Sequence, residues 1–306
     1  MATISFIKTC IAAGCLAALA GCHTSAAGVA STPVKYMDIG GNTRLPWVEE
    51  GRGAPVVFVH GAMSDYRTWD RQRAALAESG YRAISYTQRY FGAEPWGQNW
   101  PAFGVQTHSD DLTAFIRGLG VGPVHLVAWS YSGHVVLNVA LKHPDLVKSA
   151  FVFEPGVTSW VTDASALKAI GDDAGAAFAP AAKAIQDGDN VASVRESIDA
   201  VGGRKGYFDA QPAAVKAVQL DSARTMPMLF ADKAPPMSCD QLGQIRPPVA
   251  IVRGADTRPF FKLTADAAAR CLPNSKRLVV PNRKHLWPGE DVAGFNAALV
   301  GFLRAQ

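Results

Sequence analysis

The sequence predicts an α/β protein built on a mostly parallel sheet, and three observations carry that reading. Short apolar, β-branched runs recur along the chain, helical patterns lie between most of them, and the central runs are apolar on both faces. Strands that read apolar on both faces belong to a sheet covered by helices on either side. Eight such runs stand at 34–39, 44–50, 56–60, 81–86, 124–128, 148–154, 249–253 and 277–280. The first two precede Gly51-Arg52-Gly53 and read as an antiparallel pair.

Helices are expected over 68–79, 110–119, 132–142, 264–271 and 291–304, where apolar residues repeat at helical spacing. The segment 155–237 breaks the alternation. It is rich in Ala, reads as helices at 166–170, 180–187, 191–201 and 213–220, and lies between two strands. A helical insertion at that point stands over the C-terminal strand ends, where open α/β sheets bind ligands, so it is expected to form a lid.

The N-terminus carries Lys8, an apolar stretch over 11–20 and then Leu19-Ala20-Gly21-Cys22. Such a stretch is too short to remain in a bilayer as a spanning helix. It resembles a bacterial lipoprotein signal, which implies removal of residues 1–21 and a lipid on the sulfur of Cys22. An ordinary secretory signal cut near Ala26 or Ala27 is the alternative. Either way the mature protein is exported. His23, rather than Asp, after the cysteine implies the outer membrane, facing the periplasm, by analogy with lipoprotein sorting. Residues 22–33 are small and polar and read as a flexible tether, leaving 34–306 as one domain.

With 48% hydrophobic residues the domain can supply a sizeable core. The net charge of +4 falls to +3 without Lys8, and no Lys/Arg run forms a stripe, which argues against a nucleic-acid partner. No His/Cys/Asp cluster has the spacing of metal ligands, so neither metal nor other cofactor is expected. Of the five cysteines, only Cys239 and Cys271 stay in the folded domain. Export permits a disulfide between them, and spacing alone leaves that pairing open.

The chemistry is concentrated in His125-Leu126-Val127-Ala128-Trp129-Ser130-Tyr131-Ser132-Gly133-His134, where an apolar strand meets a helix. One serine between small residues at such a junction makes a nucleophile elbow, whose strained turn lifts the hydroxyl off the sheet. Ala128 and Ser132 stand where glycines are usual and remain small enough. Placing the nucleophile at Ser132 would put His134 at the crowded position, so Ser130 is the candidate. Serine needs a base, and His285, in a loop after the last strand run, can reach across the sheet. The other histidines read as structural. Asp256 ends a strand and is the first choice for the carboxylate that orients the imidazole. Glu154, ending the strand after the elbow helix, is the alternative acid. Backbone N–H groups of Tyr131 and of Ala62, with Met63 in its place as the alternative, would hold the oxyanion. Trp129 and Met63 are candidates for the substrate pocket, with Trp69, Tyr66, Phe91 and Trp96 as further aromatics near it.

From residue 34 to 303 the chain resembles an α/β-hydrolase. The matching landmarks are His60-Gly61 after a buried strand, the elbow at Ser130, Gly254-Ala255-Asp256 and His285, in the order serine, acid, histidine. The stretch from Cys239 to His285 is similar to a bacterial subgroup of small lidded hydrolases. The resemblance implies a serine hydrolase that cleaves a small-molecule carboxylic ester or lactone through an acyl-enzyme. The same triad serves amide or carbon–carbon hydrolysis and cofactor-free perhydrolysis. A non-catalytic binding protein on the same scaffold is the competing class. Serine at the elbow excludes the alkyl-enzyme chemistry of dehalogenases and epoxide hydrolases, which requires a carboxylate there.

Overall fold

The computed structural model describes Met1 and residues 32–306. The 1–21 signal, Cys22 and most of the 22–33 tether lie outside the described residues. The strands are β1 (Lys35–Asp38), β2 (Arg44–Gly51), β3 (Ala54–Val59), β4 (Tyr81–Tyr86), β5 (Val124–Trp129), β6 (Val147–Phe153), β7 (Val249–Gly254) and β8 (Lys276–Val280). They form one sheet in the order β1-β2-β4-β3-β5-β6-β7-β8. The β1–β2 and β2–β4 pairs are antiparallel and every later pair is parallel. Each strand lies within two residues of its expected run.

Alternation along the strands builds two cores. Val57, Val59, Leu126, Ala128, Ala150 and Val152 face one layer, whereas Val56, Phe58, Val127, Phe151 and Phe153 face the other. Successive side chains of a strand point to opposite faces, so a strand apolar at every position must be covered twice. The helices in chain order are α1 (Asp70–Glu78), α2 (Val105–Leu119), α3 (Ser132–Lys142), the insertion helices α4 (Ala164–Gln186), α5 (Asn190–Gly202), α6 (Ala213–Asp221) and α7 (Met226–Ala231), then α8 (Cys239–Gly243), α9 (Pro259–Cys271), α10 (Trp287–Glu290) and α11 (Val292–Leu303). Leu76 of α1 and Phe295, Leu299 and Phe302 of α11 pack on one face. Leu112 and Phe115 of α2, Val135 and Val139 of α3, and Ala265 and Ala268 of α9 pack on the other.

Three helices depart from expectation. The patterns at 166–170 and 180–187 belong to one helix, α4, with Pro180 in its interior. Proline removes one backbone hydrogen bond there without ending the helix, because Ala181 and Ala184 are buried in its packed face and hold the next turn. α2 begins at Val105, before residue 110, because Val105, His108 and Ser109 are buried and extend its core-facing side. α9 begins at Pro259, five residues before 264, where a proline costs nothing since the first N–H has no acceptor within the helix. Cys239 and Cys271 form a disulfide with Cα atoms 5.0 Å apart, joining the start of α8 to the end of α9.

Candidate active site

Ser130 sits between β5 and α3 with φ +60°, a left-handed conformation that residues with a side chain rarely adopt. The turn is held from several sides. Ser130 N–H donates to the Phe153 carbonyl at 3.0 Å, and Gly133 N–H donates to the Ser130 carbonyl at 2.9 Å. Ser132 is fully buried, donates to the Val59 carbonyl at 2.8 Å and accepts from Trp129 N–H at 3.0 Å. Its hydroxyl therefore staples the elbow to β3, a structural task that leaves the half-buried Ser130 as the less committed member of the pair. A Cβ on Gly61 would lie 3.0 Å from the Trp129 carbonyl and 3.3 Å from Ser130 Cβ, so this glycine lets the loop after β3 close on the elbow. Ser130 Oγ has no hydrogen-bond partner among the described residues, and no hydrogen bond joins it to His285 in this structure.

The structure brings Glu154, not Asp256, to His285. His285 Nδ1–H donates to Glu154 Oε2 at 2.7 Å, which leaves Nε2 as the basic nitrogen. Glu154 follows β6 with φ +47° and is fully buried. A buried carboxylate is tolerated only when donors surround it, and this one has three. Gly254 N–H reaches Oε1 at 2.8 Å, and the Thr257 hydroxyl reaches Oε2 at 2.9 Å beside the imidazole. Asp256 is exposed, has no side-chain hydrogen bond among the described residues, and lines a separate cleft with Lys284 and Arg258. The expectation that Asp256 partners the histidine is corrected accordingly. Its strand end suits an acid, but its side chain faces solvent, and Thr257 takes the inward place.

The loop that carries His285 is fitted closely to the end of β7. A Cβ on Gly254 would stand 2.0 Å from the Arg283 carbonyl, so only glycine permits this approach. Phe261 stacks on the imidazole with centroids 3.6 Å apart and planes 7° from parallel. The Trp129 indole N–H donates to the His285 carbonyl at 3.0 Å, linking the nucleophile's neighbour to the base. Thr257, Phe261 and the indole bond escaped sequence reasoning, since no local pattern marks a residue whose role is to touch another.

His60 fixes the oxyanion loop. Gln88 N–H donates to His60 Nε2 at 2.9 Å, so Nδ1 carries the proton and donates to the Gly61 carbonyl at 2.7 Å. The Gly61 carbonyl and Ala62 N–H belong to one trans peptide and point in opposite directions, so holding one aims the other. The N–H groups of Ala62, Met63 and Tyr131 have no acceptor among the described residues. His108 donates from Nε2 to the Arg89 carbonyl at 3.0 Å and accepts the Tyr131 hydroxyl on Nδ1 at 2.8 Å, which anchors the Tyr131 side chain. Burial pushes His60 down to about 4 and His108 down to about 3, so both stay neutral in the fold.

Ala62, Met63, Trp129 and Leu286 line a cleft of about 810 Å³ that continues beneath the insertion helices. Met63 also packs with Val194, Ile198, Phe208 and Met226, which seats the insertion on the oxyanion loop. Of the other expected pocket aromatics, Trp69 is fully buried in the core, Phe91 packs against His60, and Trp96 packs against Tyr90. No group of three or more His, Cys, Asp or Glu residues among the described residues has the arrangement of a metal site.

A family model described as the alpha/beta hydrolase fold matches residues 54–290. The chain belongs to this family. A bifunctional epoxide hydrolase 2 of Rattus norvegicus is 25% identical over 114 residues, 37% of this chain and 21% of that protein. The match thus spans about a fifth of the rat protein's length. Among solved structures, the enol-lactonase from Burkholderia xenovorans superposes with a TM-score of 0.67 at 16% identity, over 88% of this protein and 100% of that chain. The bromoperoxidase from Bacillus anthracis superposes with a TM-score of 0.70 at 20% identity, over 89% and 100%. At these identities the likeness is one of fold.

Proposed function

We propose that this hydrolase cleaves a carboxylic ester or lactone through an acyl-enzyme on Ser130, with His285 as base and Glu154 as the acid that orients it. The observation that carries this reading is the buried Glu154–His285 pair, tied by the Trp129 indole to the residue that precedes a left-handed Ser130. Glu154 fixes the proton on Nδ1, so Nε2 can take the Ser130 proton as Oγ attacks the carbonyl carbon. The carbonyl π electrons move to oxygen, where the N–H groups of Tyr131 and Ala62 receive the negative charge. Losing one such donor costs about 3 to 4 kcal/mol in the transition state. The imidazolium then gives its proton to the departing alkoxide and leaves an acyl-serine. Water repeats the sequence with the same base, releasing the acid and restoring Ser130.

Labelling with a fluorophosphonate probe tests the mechanism. Wild-type protein should react, Ser130→Ala should not, and Ser132→Ala, if folded, should. No labelling of wild type would favour the binding-protein reading. Turnover of p-nitrophenyl esters and of lactones then tests the bond class. The lactone arm is included because the Burkholderia neighbour is an enol-lactonase.

The envelope location is part of the same proposal. Residues 1–21 are removed and Cys22 carries lipid, placing the domain at the periplasmic face of the outer membrane on its tether. The Cys239–Cys271 disulfide supports export, because such bonds persist in oxidising compartments. Several acyl chains, at about 0.8 kcal/mol per buried CH₂, would hold the mature protein to the membrane until detergent is added. Fractionation with a mass of the mature N-terminus checks this. A soluble product with an unmodified N-terminus beyond Cys22 would leave an ordinary secreted enzyme.

A further inference from the structure

We propose that the cleft beneath the insertion binds one extended apolar chain of the ester, longer than acetyl. This rests on the serine-hydrolase reading. The cleft is lined by Met63, by Trp129, the residue before Ser130 in the chain, and by α6, which contributes Ala214, Val215, Ala217 and Val218 to its wall. Those positions fall at i, i+1, i+3 and i+4 and share one helix face. Val215 keeps 41% of its surface exposed, apolar area that a bound chain would cover. Part of the polar wall is satisfied by the protein itself, while the guanidiniums of Arg71 and Arg204 in the same lining have no hydrogen-bond partner among the described residues. Arg67 is paired with Asp65 and Asp221, the Tyr207 hydroxyl donates to Glu290 at 2.6 Å, and Gln211 and Gln219 exchange hydrogen bonds at 3.1 Å. The apolar contact area of this wall lies along α6. Its volume of about 810 Å³ far exceeds the need of an acetyl group, since a methylene takes roughly the 30 Å³ of a liquid water.

The test is kcat/KM of the wild-type protein on two homologous series, p-nitrophenyl esters from acetate to dodecanoate and alkyl acetates of matching lengths. Each methylene held in an apolar site can add up to about fourfold. A rise of at least about tenfold from two to eight carbons is therefore expected in one series, and the series that responds tells which side of the ester the cleft takes. Ala217→Trp should move the optimum of that series to shorter chains. A flat profile or a preference for two carbons in both series, in protein that labels with fluorophosphonate, overturns the chain-binding inference alone. Absence of both labelling and turnover would overturn the hydrolase reading instead.

A second observation stands independently. Thr257 donates to the same Glu154 oxygen that receives His285 Nδ1–H, and it lies on the segment where an acid was expected. We infer that Thr257 is a positioning residue that prevents the Glu154 carboxylate from rotating away from the imidazole. Thr257→Val should lower kcat by about ten- to a hundredfold, the range for losing a supporting partner, with KM within twofold. Thr257→Ser should recover most of the loss. Equal loss in the Ser and Val variants at unchanged melting temperature, or no loss in Val, would overturn the role.

Discussion

The loops after β6 and β7 each place a carboxylate at the C-terminal end of a buried parallel strand, yet they give it opposite fates. Glu154 after β6 is fully buried, held at φ +47°, and met by a backbone N–H, a hydroxyl and an imidazole. Asp256 after β7 is exposed at the rim of another cleft. The β7 loop serves the acid it does not contain, supplying Gly254 N–H and Thr257 to Glu154 and Phe261 to the imidazole. Proximity to a strand end therefore does not make an acid functional. What matters is whether the donors that stabilise the charge converge on it, since an isolated ion in that interior would cost several kcal/mol.

The comparison presupposes that the centre works as a unit, and the largest effects test that. Ser130→Ala and His285→Ala should each lower kcat on p-nitrophenyl esters by about 10⁴ to 10⁶, and the double variant should lose little more. Multiplicative losses in the double variant would mean that the two residues act separately. Glu154→Gln breaks the comparison most directly. It keeps the shape and removes the charge that fixes the tautomer, so a fall of about 10⁴ is expected in protein that still melts cooperatively. Activity near wild type would return the acid to the β7 loop.

Acid stability sharpens the contrast between a histidine that has a carboxylate and those that do not. His60 and His108 are buried against backbone groups and are pushed down to about 4 and about 3, whereas an unfolded histidine titrates near 6.5. The unfolded chain therefore takes up protons that the fold refuses. Their contribution to stability is complete above pH 6.5 and is lost as pH falls toward 4, at about 1.4 kcal/mol per pH unit for each residue. Melting temperatures at pH 7, 6 and 5 should decline in order, and equal values at pH 7 and pH 5 would contradict the assignment. The smallest effect is the most discriminating. Asp256→Asn should leave kcat within about twofold of wild type, and a hundredfold loss there would show that the exposed loop moves inward during turnover.

Much of the molecule was legible in its sequence. Strand positions followed from short, continuously apolar β-branched runs, and the register of the elbow followed from the size of Ala128, Ser132 and His134, because both are set within a few residues of chain. The place of His285 after the last strand marked it as a histidine able to reach over the sheet, where it meets Glu154. Other features were not legible. Whether Glu154 or Asp256 meets His285 depends on which side chain turns inward, and Glu154 and His285 are 131 positions apart. The same limit applies to the Cys239–Cys271 bond, 32 residues apart, and to α4, whose packing carries the helix through Pro180. Local sequence by itself determined which segments become strands and helices and which serine stands at the turn, because those choices are settled by neighbouring residues. Only the tertiary structure decided which charge is buried, since burying a carboxylate requires donors from several separate elements to meet at one point.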